Sequence, residues 1–390
     1  MKILMMAPHP FYQERGTPIA IDLLLKSLSE QGHEVDVITF PEGEDRDYQG
    51  VNYFRVKPIG EIKGVRPGFS LKKIYLDIFV FIKFLILFFS KRYDAVHAVE
   101  ESVYMAMLIS PLKGVPYIYD MDSSMVTQLL DKAPALKWIE RVLRFIESLP
   151  ARFATVVVPC CDALSVDVLP YRSSPDKTTM VLKDISLLDK SQTEASSGID
   201  IRQLVSKEEK AKKVLMYIGN LESYQGIDLM IEGFAAALKS TDDIALVVVG
   251  GEQKDIEFYK EKSQLLGVSE STFFLGKQPV TDLYALMLQS DILMSPRTQG
   301  INTPMKVYSY LDSGVPVLAT RLPTHTQVMS DDNTMLVDAD DISMAEGIIK
   351  LVNDDALCQK LTQNASEFIA KEHSWTSFDL VVRKIYASVS

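Results

Sequence analysis

Cysteine is scarce. The 390-residue chain has three, Cys160, Cys161 and Cys358. Adjacent cysteines rarely bridge each other, and no metal-ligand spacing is present, so a disulfide framework is excluded and a reducing compartment is expected. Cations are also in deficit: 41 Lys and Arg against 52 Asp and Glu leave a formal charge of −11. That balance argues against a nucleic-acid-binding protein, whose affinity rests on many phosphate-neutralising side chains. A local basic pocket for one small phosphate stays compatible with it. The first eleven residues, MKILMMAPHPF, carry one lysine and a short apolar run, and the polar stretch YQERGT follows at once. A secretory leader needs a longer apolar core and a small-residue cleavage site, so this reads as a first core strand. Short-period repeats and low-complexity tracts are missing too. What remains is 47% hydrophobic and 24% charged, an ordinary globular composition in a length that suits two or three domains.

Long hydrophobic runs are likewise short of membrane-spanning length. The longest lies within KKIYLDIFVFIKFLILFFSKR, Lys72 to Arg92. Its apolar part, Ile74 to Phe89, has 16 residues and contains Asp77 and Lys83. A spanning helix wants about 20. Two readings fit. Basic flanks (Lys72, Lys73, Lys91 and Arg92) suit a helix lying in the face of an anionic membrane. A helix buried against the sheet of its own domain fits as well. Six aromatics within the run, Tyr75, Phe79, Phe81, Phe84, Phe88 and Phe89, exceed the needs of one core helix.

Elsewhere the chain alternates strand-like and helical patterns. In the first half the strand-like runs are Lys2–Ala7, Glu34–Phe40, Val51–Val56, Ala95–Val99, Tyr117–Tyr119 and Ala154–Pro159, with helical stretches such as Pro18–Gln31 between them. Residues 189–213 then turn polar and Ser-rich, as a linker does. The alternation restarts with Val214–Gly219, Ala245–Gly251, Phe273–Gly276, Ile292–Pro296, Val315–Thr320 and Met335–Asp338, and two helices close the chain. Short apolar strands alternating with helices predict parallel βαβ units. The expected organisation is an N-terminal Rossmann-like domain over 1–188, the linker 189–213, a second such domain over 214–370, and a C-terminal helix in 371–390 packing back on the first domain. Sheets of this kind bind ligands beyond the carboxyl ends of their strands.

Two segments carry chemistry. In INTPMKVYSYLDSGVPVLAT, Ile301 to Thr320, Thr303 is placed to cap a helix with Pro304 in its first turn, and Gly314 ends it. A helix start offers free N–H groups to phosphate. Lys306 in that turn opposes the helix dipole, and an incoming diphosphate would give it a purpose. Arg297, just after a strand, is placed to join it. In YIGNLESYQGIDLMIEGF, Tyr217 to Phe234, a glycine-bounded loop joins strand to helix, and such a loop lets a ligand approach the backbone closely.

With these landmarks the chain resembles the family 4 retaining glycosyltransferases of the GT-B fold, over nearly all its length and most specifically in its C-terminal half. The resemblance implies an α/β architecture of two Rossmann-like domains facing across a cleft. It implies a nucleotide-sugar donor bound mainly by the second domain and an acceptor by the first. Gly16 and Thr17 match the family loop that approaches the donor phosphates. Gly219 and Gly226 bound the strand–turn–helix element, in which members usually carry an arginine and a lysine. Here Asn220 and Gln225 stand instead, so the usual diphosphate clamp is lost, and Lys306 with Arg297 is the expected replacement. The family often has two glutamates around the later helix; their places fall at Ser309 and near Ile301, and the backbone of Ile301, Asn302 and Thr303 would face the sugar. Base contacts would come from the backbone near Gly250, Gly251, Lys277 and Gln278. Asp122 aligns, within one residue, with a family histidine, and His97 is a second catalytic candidate.

The scheme this implies has no enzymic nucleophile and no metal or other cofactor. Asp120-x-Asp122 invites a metal reading, since hard oxygen ligands suit Mg²⁺, but two Rossmann-like halves point to cations and helix termini for the leaving diphosphate. The acceptor would be a hydroxyl, on a glycolipid or polysaccharide precursor if Lys72–Arg92 touches a membrane, placing the protein in the cytoplasm at the inner face. Alternatives are a catalytically inactive binding module and a sugar-nucleotide epimerase, which would need a carboxylate–histidine set.

Overall fold

A computed structural model describes residues 1–13, 16–60, 62, 64–65, 70–172, 177–188, 190, 198–206, 212–300 and 303–389. The chain divides into two compact units. One comprises Met1–Asp184 with Thr376–Ser390, the other Ile185–Trp375.

The first unit contains strands β1 (Lys2–Ala7), β2 (Glu34–Thr39), β3 (Val51–Arg55), β4 (Ala95–Val99), β5 (Tyr117–Met121), β6 (Val156–Pro159) and β7 (Thr178–Thr179). Its helices are α1 (Gly16–Glu30), α2 (Leu71–Ser90), α3 (Val103–Ile109), α4 (Met125–Lys132), α5 (Glu140–Phe153) and α6 (Asp162–Val168), with α15 (Trp375–Ala387) returning from the far end of the chain. The strands pair in parallel in the order β3-β2-β1-β4-β5-β6-β7. Strands covered on both faces are mostly apolar, and β4 and β5 are buried along their whole lengths, their two polar residues His97 and Asp120 bonded to each other. Leu4 and Met6 of β1 face one way, into a core shared with Leu76, Val80 and Phe84 of α2. On α1, Ile21, Leu24, Leu25 and Leu28 are buried, and Ser27 and Gln31 at its end donate to Asp379 of α15.

The Lys72–Arg92 segment forms α2, which is buried against the sheet along one face and exposed along the other. Leu76, Val80, Phe84, Leu87 and Phe88 are buried, while Ile74, Ile78, Ile82 and Ile86 form a solvent-facing row at four-residue spacing. Among the described residues no helix is long and apolar enough to cross a membrane.

The second unit holds β8 (Lys213–Ile218), β9 (Ile244–Val249), β10 (Thr272–Gly276), β11 (Ile292–Ser295), β12 (Val317–Thr320) and β13 (Met335–Val337), in the parallel order β10-β9-β8-β11-β12-β13. Its helices are α7 (Ile201–Val205), α8 (Ile227–Ala237), α9 (Gln253–Leu265), α10 (Leu283–Met287), α11 (Lys306–Asp312), α12 (Pro323–Thr326), α13 (Asp341–Asn353) and α14 (Asp355–Glu372). Strand alternation splits the core in two. Leu215 and Tyr217 point toward α8 and α13, and Val214, Met216 and Ile218 point to the opposite face with Val307, Tyr310 and Leu311 of α11.

Two expectations are corrected. The polar stretch 189–213, read as a linker, lies partly outside the described residues, but its described part contains α7, capped by Asp200 and seated in the second core through Ile201 and Val205. Those two residues, four apart, share one helix face. The chain also closes with three helices rather than two, because Asp354 caps a fresh start between α13 and α14.

Candidate functional site

In each sheet the strand order reverses direction at one place, β1/β4 in the first and β8/β11 in the second. Ligands of doubly wound sheets bind beyond the carboxyl ends of the strands at such a switch point. Both groups of candidate residues gather there.

In the second unit, Lys306 opens α11 and its ammonium turns back toward the end of β8. A first side-chain carbon added to Gly219 would lie 3.1 Å from Lys306 Nζ and 2.9 Å from the Tyr217 hydroxyl. The ammonium sits 3.8 Å from the centroid of the Tyr217 ring. It is sealed from solvent and has no hydrogen-bond partner among the described residues. Burial, and secondarily the charge of Arg297, hold it well below the usual lysine range. Arg297 follows β11, donates to Thr324 Oγ1 at 2.8 Å and lies 5.0 Å from the Tyr224 ring centroid. Burial lowers its pKa as well. Two glycines make the close packing possible. Gly226 (φ +74°) opens α8, where any side chain would overlap the Pro296 carbonyl. Gly250 (φ +108°) lies against the Gly219 carbonyl in the same way. His325 was missed in the sequence. Its Nδ1–H donates to the Thr320 carbonyl (2.8 Å), which leaves Nε2 to accept from Ser295 Oγ (2.8 Å), and burial pushes its pKa down to about 4. It is therefore neutral and adds no third cation to the pair.

The remaining donor-site candidates divide. Gln225 is buried and its Oε1 has no partner among the described residues; the same holds for Thr303 Oγ1. Thr303 does not cap α11 as the sequence suggested. The helix begins at Lys306 without a side-chain cap, and the chain enters it through tight turns in which Val307 N–H donates to Pro304 and Tyr308 N–H to Met305. Ser309 is buried and its hydroxyl accepts from the Leu187 amide at 3.2 Å, which leaves its own O–H to donate. Asn220 is exposed, and its Oδ1 accepts from Glu222 N–H within its own loop. Gly251 packs on Leu221, and Lys277 stands on the surface paired with Glu252. Ile301 and Asn302 lie outside the described residues.

In the first unit, Gly16 is the first residue of α1 rather than part of a loop, with open space where a side chain would be. Thr17 beside it hydrogen-bonds Asp122, one residue beyond β5. Burial, followed by the charges of Asp120 and Glu100, pushes the Asp122 carboxyl well up. Asp184 nearby is raised to about 7, chiefly by burial. His97 is not at the end of its strand but within β4, where its ring is enclosed. Nε2 lies 3.1 Å from Asp120 Oδ2, Nδ1 lies 2.9 Å from the Tyr386 hydroxyl, and the Tyr386 ring stacks on it. Its placement is that of a group holding Asp120 and α15 together. Glu100, unread in the sequence, follows β4 at the switch point with φ +50°, unusual for a residue with a side chain. Cys160 donates to the Asp122 carbonyl, and Cys161 is buried at the start of α6. The described residues contain no group of three His, Cys, Asp or Glu arranged to hold a metal ion.

Two doubly wound parallel sheets, with buried cations at one switch point and buried carboxyls at the other, define a two-domain α/β protein of the GT-B fold. Residues 15–182 match the glycosyl transferase 4-like domain and residues 200–368 match glycosyl transferases group 1, and the chain belongs to this glycosyltransferase family. Among known relatives, it is 21% identical over 206 residues to a phosphatidyl-myo-inositol mannosyltransferase of Mycobacterium leprae, covering 50% of this chain and 54% of the relative. It is 24% identical over 185 residues to a D-inositol 3-phosphate glycosyltransferase of Corynebacterium diphtheriae, covering 46% and 43%. The matched stretches thus span about half of each relative. Among solved structures, sucrose-phosphate synthase from Thermosynechococcus elongatus superposes with a TM-score of 0.75 at 16% identity, over 100% of this chain and 98% of that one. Anabaena HepE in complex with UDP-glucose gives 0.72 at 16% identity over 100% of both chains.

Proposed function

We propose that the protein transfers a sugar from a nucleotide-sugar donor to an acceptor hydroxyl with retention of configuration. The observation that carries this reading is the Lys306 ammonium: buried, without a hydrogen-bond partner among the described residues, and set beside Arg297 at a sheet switch point. A cation held so is costly unless an anion arrives to meet it. A nucleoside diphosphate supplies that anion, and a structural neighbour bound to UDP-glucose supports the class of donor. As the sugar leaves, charge grows on the diphosphate, and Lys306 and Arg297 meet it. Gln225 Oε1 and Thr303 Oγ1, unpartnered among the described residues, and the Ser309 hydroxyl are polar groups available to the nucleotide and sugar. In the first unit, Asp122 orients the acceptor hydroxyl, and Thr17 and Gly16 border it. No metal ion or other cofactor takes part in this scheme.

The membrane-lipid substrate in the name of one relative agrees with a glycolipid acceptor. The α2 face bearing Ile78, Ile82 and Ile86 would rest on the cytoplasmic leaflet, and α5 with the turn before it adds exposed Trp138, Phe145 and Phe153 interleaved with exposed Lys137, Arg141 and Arg152.

The test is thermal unfolding against a panel of nucleoside diphosphates and their sugars, wild type beside Lys306→Met. At about 100 times its dissociation constant a ligand adds about 2.7 kcal/mol. One nucleotide stabilising the wild type and not the variant supports the reading. No stabilisation by any of them returns the chain to the class of inactive binding modules.

A further inference from the structure

The first unit contains a cavity of about 280 Å³ that the donor scheme does not use. It lies beyond the carboxyl ends of β4 and β5, at the N-terminal end of α2 and against α4 and α5. Its apolar lining is Ile74, Met125, Val126, Leu129, Leu143 and Ile146. Polar groups complete it, most of them engaged with one another or with backbone: Ser70 Oγ accepts from Lys73 N–H (3.2 Å), Gln128 donates to Ser123 Oγ (2.7 Å), and the Tyr104 hydroxyl lies 3.5 Å from the Ile146 carbonyl. Lys73 is held between Glu100 (3.1 Å) and Glu101 (2.7 Å), a buried, mutually satisfied set. Asp77 is different. Its Oδ1 is buried with no hydrogen-bond partner among the described residues. Burial, and then the charge of Glu101, push its carboxyl up to about 8, so at neutral pH it keeps its proton and can donate.

We propose that this cavity holds the aliphatic chain of the acceptor, an amphiphile whose hydroxyl-bearing headgroup lies at the end marked by Asp77 and Glu100. The inference rests on the transferase reading and names its acceptor class. Two features select an aliphatic chain over a free sugar. A free sugar needs a hydrogen-bond partner for each hydroxyl, and here Lys73 is taken up by Glu100 and Glu101 and Gln128 by Ser123, while six apolar side chains make up the rest of the wall. The wall is also continuous with an exposed apolar surface: Ile74 lines the cavity and begins the row that Ile78, Ile82 and Ile86 extend along α2. The strained Glu100 backbone lies at the cavity's polar end, directly beyond β4.

The experiment is calorimetric titration of the full chain with n-alkyl β-glucosides of one, four, six and eight carbons, each below its micelle concentration. Burial of a methylene is worth about fourfold in affinity, so affinity should climb by about that factor per carbon until the cavity is filled, with saturation at one ligand per chain. Leu129→Trp and Ile146→Trp fill the cavity from two different helices, and in either variant that melts like the wild type the climb should vanish. An affinity indifferent to chain length overturns the proposal and leaves the cavity for a partner's side chain. A climb that persists in both filled variants also overturns it. Stabilisation by a nucleoside diphosphate, measured on the same preparations, reports on the donor reading separately: if it is intact while the alkyl series is flat, only the acceptor assignment falls.

Discussion

Lys306 and His325 are neighbours in charge that respond to pH in separate windows. Lys306 has a folded pKa below the 10.5 of the unfolded chain. Above the folded value the unfolded chain holds the extra proton, so stability rises with pH through that window, and below it the full cost of the buried ammonium is present. Lys306→Met should therefore stabilise the ligand-free protein by on the order of 1–4 kcal/mol at neutral pH. Denaturant melts should show the gap narrowing as pH approaches 10.5. Nucleotide binding should reverse the shift, so at a pH above the ligand-free value it draws in a proton, which calorimetry in buffers of different ionisation enthalpy detects. His325, lowered from 6.5 to about 4, loses stability as pH falls between those values, by on the order of 3 kcal/mol. His325→Gln should flatten that part of the acid curve, and an unchanged slope would remove His325 from the account. Lys306 was legible in the sequence because a cation in a helix's first turn is an anomaly there. Its surroundings were not, because Tyr217 and Gly219 reach it from a strand far earlier in the chain. The Thr17–Asp122 bond was hidden for the same reason: each residue was singled out, but only the sheet brings β1's continuation beside β5.

At the scale of elements, the outward faces of α2 and α5 concentrate apolar side chains on a chain of net charge −11. Trp138 of the turn before α5 is 82% exposed, and Lys137, Arg141 and Arg152 are exposed along the same turn and helix. Vesicles containing anionic lipid should bind the protein and neutral vesicles should not, with release by high salt. Trp375→Phe leaves Trp138 as the single tryptophan, and its emission should shift to the blue on binding. Arg141→Glu with Arg152→Glu should abolish both signals; a blue shift that survives would place the contact elsewhere. The strands were legible nearly residue by residue, since buried parallel strands are continuous apolar runs. Only β7, two threonines long, offered no run to read. Helix starts were less legible. Thr303 and Pro304 have the chemistry of a cap and a first turn, yet tertiary packing of Val307, Tyr308 and Leu311 sets α11 two residues later.

The whole chain places its last helix with its first domain. Phe378, Val382, Ile385 and Tyr386 of α15 are buried, Tyr386 reaches His97 in β4, and Asp379 accepts from Ser27 and Gln31 at the end of α1. Four such side chains are worth roughly 6–12 kcal/mol at about 1.5–3 kcal/mol each, an upper bound because the unfolded chain already hides part of that surface. Even so it is comparable with the roughly 5–15 kcal/mol by which a domain is stable. A chain ending at Ser374 should thus lose the first unit's cooperative melting, and hydrogen exchange in β4 and α1 should approach that of unfolded chain. The second unit keeps its own two cores, Lys306 and Arg297, so the truncated protein should still be stabilised by the nucleotide that stabilises the wild type. Tyr386→Phe tests the hydrogen bond alone: a loss of about 1 kcal/mol is expected, since the ring packing on His97 remains. If truncation instead left both units melting as before, the burial of α15 would contribute nothing to the first unit's stability. If truncation abolished nucleotide stabilisation as well, the second unit would depend on the first for its fold, and the donor site could no longer be ascribed to one unit.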